Sequence, residues 1–173
     1  MSKLKIPVGP DDHAEGDAGA PCTLVEYGDY ECPHCGHAYP IVKRLQKHFG
    51  GRLRFVYRNF PLTEIHPHAE AAAESAEFAG AHGKFWAMHD LLFENQQHLS
   101  LKHLHAYAGQ LSLDVARFTA EMDDGVYRQR VREHLESGRD SHVRATPGFF
   151  VNGVIVDVSF GMRALFEAVS ASV

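Results

Sequence analysis

The spacing of apolar residues switches repeatedly between strand-like and helical along the chain. "CTLVEY" at 22–27 is a short apolar run closed by Gly28-Asp29, and it predicts a buried strand. From Pro33 to Phe49, Tyr39, Val42, Leu45 and Phe49 recur three and four apart, and Gly50-Gly51 follows as a helix stop. "RLRFVYRNF" at 52–60 alternates and predicts a second strand. Between Thr63 and Ser141, segments from "HPHAEAAAESAEFAG" to "VYRQRVREHLESG" carry apolar positions at helical spacing, separated by glycines or acidic caps. Strand-type sequence returns in "PGFFVNGVIVDV" at 147–158, where Asn152-Gly153 signals a type I′ hairpin, and Leu165, Phe166 and Val169 suit a closing helix.

The resulting order is βαβ, a helical block, then ββα, an α/β chain interrupted by helices. Residues 21–62 and 142–173 form the α/β part and 63–141 the inserted helical domain; strand-type sequence after the block favours an insertion over a separate domain. Residues 1–20, rich in Gly, Pro, Asp and Ala without periodicity, are expected to form a flexible N-terminal arm. With 173 residues, 45% of them hydrophobic, the chain can bury a core without disulfides or metals. A net charge of -5 and no basic run argue against nucleic acid as a partner. The first residues lack a secretory apolar stretch and no segment reaches membrane-spanning length, so a cytoplasmic chain with no membrane partner is expected; a chain trimmed of an export signal would read the same way.

Three cysteines are too few for a disulfide scaffold, and two of them stand in "DYECPHCGH" at 29–37. Cys32 and Cys35 are spaced to lie on one face of the first helical turn, with Cα atoms about 5 Å apart, inside the window for a disulfide. Pro33 suits the first turn, where its missing N–H is not needed. Two chemistries use this spacing: a redox pair, or half of a zinc site completed by histidines such as His34 or His37 in a chain with 13 of them. No second CxxC, CxxH or HxxxH pair stands at a usual distance. Cys22 reads as a small buried hydrophobe, the aromatic stripe of Phe85, Trp86 and His89 as core, and "HPH" at 66–68 as a helix start.

CxxC at a strand-to-helix junction, "LVEYGDYECPHC", "YRNFPLTEIHPHAE" and a Thr146-Pro147 just before a hairpin together resemble the DsbA-like thiol-disulfide oxidoreductases of the thioredoxin superfamily, over residues 20–172. The resemblance implies a thioredoxin fold with a helical domain between the second and third strands. Cys32 is then the attacking thiolate, favoured by the helix N-terminus and by His34, and Cys35 the more buried resolving thiol. Glu26, six residues before Cys32, stands where the family keeps a buried acid, and Pro147 where it keeps a cis proline, with the Thr146 backbone pairing an extended substrate. Cysteine-containing proteins or peptides are the implied substrates and a further redox partner recycles the pair, with no cofactor or metal. In DsbA itself the attacking cysteine has a pKa of about 3.5, which makes the disulfide a strong oxidant, and the resemblance implies the same poise here. A reducing compartment would instead run the pair as a reductase or isomerase. Gly148 after Pro147, and the lack of a glycine near 158, depart from the family pattern and point to an irregular last strand.

Overall fold

The computed structural model describes residues 1–173. A five-stranded sheet has the order β1-β3-β2-β4-β5, formed by β1 His13–Glu15, β2 Cys22–Gly28, β3 Leu53–Asn59, β4 Gly148–Val151 and β5 Val154–Val156. β2 and β3 run parallel, joined over one face by α1 Pro33–Phe49, and the remaining neighbours pair antiparallel. Five helices follow β3 before the chain returns to the sheet: α2 Ala69–Ala81, α3 Phe85–Glu94, α4 Leu101–Gln110, α5 Val115–Asp123 and α6 Arg128–Asp140. α7 Arg163–Ser170 closes the chain. Asn152 and Gly153 both take positive φ, 48° and 81°, as a type I′ turn requires.

The period-two pattern of β2 divides its side chains between two cores. Cys22 and Leu24 join α1, α7 and the helical block in the larger cluster, whereas Val25 and Tyr27 face Val56, Phe60 and Phe150 on the other side. Both faces are covered, so β2 and β3 are buried almost throughout. Cys22 is wholly buried, and burial pushes its thiol pKa up, as an inert core thiol requires. Phe85 and His89 are buried in this core and Trp86 packs against it. Pro40 lies inside α1, unmarked by the apolar spacing that defines the helix.

Residues 1–20 differ from the expected flexible arm. Leu4 N donates to Gly153 O at 2.8 Å and Ile155 N to Ser2 O at 3.0 Å, beside β5 at one edge, and β1 then pairs with β3 to form the opposite edge. Between these edges Leu4 and Val8 pack on the second core. Arg58 of β3 anchors the crossing: its guanidinium makes two bonds to the Asp12 carboxylate, at 2.8 and 2.9 Å, and donates to Ile6 O and Pro7 O. No periodic signal marks this segment because carbonyls and one carboxylate hold it more than side-chain burial does.

β5 is three residues long, and all three pair with β4 in antiparallel register, so the last strand is short rather than irregular. Gly148 is there for space: a Cβ would lie 2.9 Å from Val143 Cγ1. No helix is long and apolar enough to cross a membrane.

Candidate active site at the start of the first helix

The turn between β2 and α1 brings the two cysteines to the end of the sheet. Cys32 occupies the N-cap position of α1, with φ -71° and ψ 123°, and Pro33 opens the helix. A Ser or Asp would place an oxygen on the free N–H groups here; Cys32 places sulfur instead. The N–H groups of Cys35 and His34 face that sulfur without closing a short capping bond. The Cys35 thiol beside it is the largest influence lowering the Cys32 pKa; burial opposes this, and contacts from Thr146 and the two N–H groups add to it. The balance brings Cys32 from 9.0 to about 5. The two cysteines are adjacent free thiols in this structure.

Cys35 is fully buried, and burial followed by the interaction with Cys32 and the charge of Glu26 pushes its pKa well up. One member of the pair is thus an acidic thiol and the other a reluctant one, three residues apart.

Glu26 lies beneath them in β2, 2% exposed, paired across the sheet with Tyr57 on one side and Phe149 on the other. Its Oε1 has no hydrogen-bond partner. Burial chiefly, with the charge of Cys32 second, raises its pKa from 4.5 to about 8. A carboxyl at that value can give or take a proton near neutral pH.

Thr146 and Pro147 face the cysteines from the other side, joined by a cis peptide bond. The Cys32 thiol donates to the Thr146 carbonyl oxygen at 3.6 Å, a long bond even for sulfur. The Thr146 hydroxyl is buried without a geometrically formed partner, yet it is close enough to favour the Cys32 anion. The two contacts suit different states: the carbonyl accepts from a thiol, and the hydroxyl donates to a thiolate. From Thr146–Pro147 a groove of about 570 Å³ runs between the β5–α7 loop and the start of α1, with Val143, Pro147, Phe149 and Ile155 among its apolar lining.

His34 also borders this groove, with its ring exposed. Its backbone N–H contributes to holding the Cys32 pKa down. Nowhere are three or more His, Cys, Asp or Glu side chains gathered closely enough to hold a metal ion.

Three neighbours were not legible from the motif. Asp29 is buried and accepts from Glu31 N, Leu62 N and the His66 ring, tying the turn to the segment after β3. Tyr57 is buried against Tyr30, and its hydroxyl has no well-formed partner. Gln96, between α3 and α4, donates to Tyr30 O and Cys32 O, both at 2.9 Å. The only signal for Asp29 was its place beside the motif, and Gln96 gave none.

Comparison with known proteins agrees with this geometry. The thioredoxin family model "Thioredoxin" matches residues 9–171. The structure superposes on oxidised BdbD from Bacillus subtilis with a TM-score of 0.88, at 22% identity, covering 99% of this chain and 97% of that one. For DsbA2 from Pseudomonas aeruginosa the TM-score is 0.73 at 25% identity, covering 95% and 96%. Among curated sequences, the Na(+)/H(+) antiporter NhaA 1 of Salinispora arenicola is 45% identical over 98% of this chain, and NhaA of Herminiimonas arsenicoxydans 41% identical over the same share. This chain spans only about a quarter of those relatives, 26% and 27% of their lengths. Family match and superposition converge: this chain belongs to the thioredoxin family and has the fold of the DsbA proteins.

Proposed function

We propose that the Cys32–Cys35 pair exchanges a disulfide with thiols of proteins or peptides and is poised toward oxidation. The observation that carries this reading is the split between a Cys32 thiol brought to about 5 and a Cys35 thiol pushed far up. A stable Cys32 thiolate favours the reduced pair, so the disulfide gives up its oxidising equivalents readily.

In the oxidised protein, a substrate thiolate lying along the groove attacks Cys32 Sγ. The S–S bond breaks, a mixed disulfide forms, and Cys35 leaves as a thiolate. Its high proton affinity draws a proton from protonated Glu26, which the value of about 8 leaves available at neutral pH. A second substrate thiolate then attacks the substrate sulfur of the mixed disulfide and expels Cys32 as its stabilised thiolate. The substrate has lost two electrons, and the pair holds them as one thiolate and one thiol. Pro33 sets the start of the helix, and the Thr146 backbone receives the extended substrate. Recycling requires a further disulfide-bearing partner.

The compartment sets the physiological direction. In a cytoplasmic setting the pair would rest reduced and act as a reductase or isomerase. Likeness to segments of proteins named as sodium/proton antiporters favours one setting in particular, a redox module beside a membrane transporter. Trapping mixed disulfides with Cys35→Ser in separated soluble and membrane fractions tests it: transporter adducts in the membrane fraction support it, and adducts confined to the soluble fraction oppose it.

Exchange itself is tested by oxidation of a dithiol peptide by the disulfide form. Stoichiometric peptide oxidation with loss of the 32–35 disulfide supports the reading, and an unreactive disulfide contradicts it.

A further inference from the structure

We propose that Gln96 is a positioning residue for the attacking thiolate, through which the helical block grips the active-site turn. This rests on the reading of Cys32 and Cys35 as the redox pair.

The side-chain amide of Gln96 donates to both Tyr30 O and Cys32 O at 2.9 Å. Cys32 O already accepts the first helical bond of α1, from Gly36 N at 3.0 Å, so Gln96 takes its second acceptor site. Tyr30 is held again by its side chain, whose hydroxyl pairs with His89 Nδ1 of α3 at 2.9 Å. α3 and the loop after it therefore hold the turn from both ends of Tyr30 and at the Cys32 peptide.

Holding the Cys32 carbonyl fixes the peptide plane leading into α1, and with it the direction of the His34 and Cys35 N–H groups that favour the anion.

Gly36 is the complement of this contact. A Cβ at 36 would stand 2.0 Å from Gln96 Oε1 and 2.6 Å from its Cδ, so any larger residue drives the amide off the turn. Helix propensity alone favours alanine over glycine at this interior position. The packing of Gln96 is a physical reason for glycine there.

The test uses the full chain and three variants: Gln96→Ala, Gly36→Ala, and the two together. For each, the Cys32 pKa is read from thiolate absorbance against pH, and the thiol-disulfide equilibrium is measured against glutathione. Both single variants should lower the thiolate-to-thiol ratio at a given pH about tenfold, a rise of about one pKa unit. The equilibrium should become about tenfold less oxidising, about 30 mV. The double variant should match Gln96→Ala, because without the amide the new Cβ displaces nothing. Unchanged pKa and equilibrium in folded Gln96→Ala, or full additivity in the double variant, would overturn the proposal while leaving the redox reading intact. A Cys32 near 9 in the unsubstituted protein would overturn both. If Gln96→Ala fails to fold, Gly36→Ala alone decides: an unchanged Cys32 in that variant refutes the proposal, and a raised one sustains it.

Discussion

Replacing Glu26 with glutamine removes a titratable group while nearly keeping its shape, so the result can be worked out in advance. The buried carboxyl has a pKa of about 8 against 4.5 in an exposed chain. The folded protein therefore holds this proton more tightly than the unfolded chain. The contribution is fully present below the unfolded value and is lost as pH rises through the folded one. At pH 7 the cost of keeping Glu26 in the fold is about 3 kcal/mol, from about 2.5 pH units at about 1.4 kcal/mol each; at pH 5 it is about 1 kcal/mol. Glutamine carries no such term and its own burial cost is the same at both pH values. Urea denaturation of Glu26→Gln and the parent should therefore show a relative gain for the variant that is about 2 kcal/mol larger at pH 7 than at pH 5. Since the charge of Cys32 is the second cause of the shift, the oxidised protein should show a smaller difference. Reduction of the disulfide by a dithiol peptide should meanwhile slow roughly 100-fold, the usual scale for losing an acid-base group. A stability gain equal at pH 5 and pH 7 would refute the reasoning, since it would mean that Glu26 ionises like an exposed carboxylate.

Other outcomes follow from the same structure. Cys32→Ser should abolish exchange, and Cys35→Ser should accumulate mixed disulfides resolvable on non-reducing gels, because only Cys35 can return to the Cys32 sulfur. Iodoacetamide at pH 6.5 should label one cysteine of the native reduced protein, Cys32, since burial pushes up both Cys22 and Cys35; peptide mapping reads this. Asp12→Ala should cost about 3 kcal/mol in urea denaturation by stranding the buried Arg58, and should speed tryptic cleavage at Lys3 and Lys5. Burial works against the Asp12 charge, but the bonds from Arg58 prevail and hold its pKa below the ordinary aspartate value of 3.8. Its stabilising contribution is present at neutral pH and fades as pH falls below the ordinary carboxylate range, so the Asp12→Ala penalty should shrink in acid.

The sheet, the inserted helices and the placing of the cysteines could be read from the chain because each rests on local periodicity or on a motif of fixed spacing. Glu26 was legible for a related reason: an acid in the middle of an apolar strand has few places to go but inward. The N-terminal segment was not, since Arg58 captures it through Asp12 and two backbone carbonyls that no hydrophobic pattern announces. His34 could be placed beside Cys32 from sequence, and the structure adds its backbone N–H as a contact, because spacing along a helix fixes where the backbone N–H points and leaves the ring free. Gln96 lies 64 residues from the carbonyl of Cys32 that it bonds, and only the packing of α3 against the turn brings them together.

The claim that Cys32 is held as a thiolate is tested most directly by one redox titration of the 32–35 pair in which the pKa of Cys32 is read from the same sample. The structure predicts a Cys32 pKa near 5 and a potential closer to about -120 mV than to about -270 mV, the span between DsbA and thioredoxin. A thiol titrating between 8 and 9 with a potential near the lower limit would contradict it.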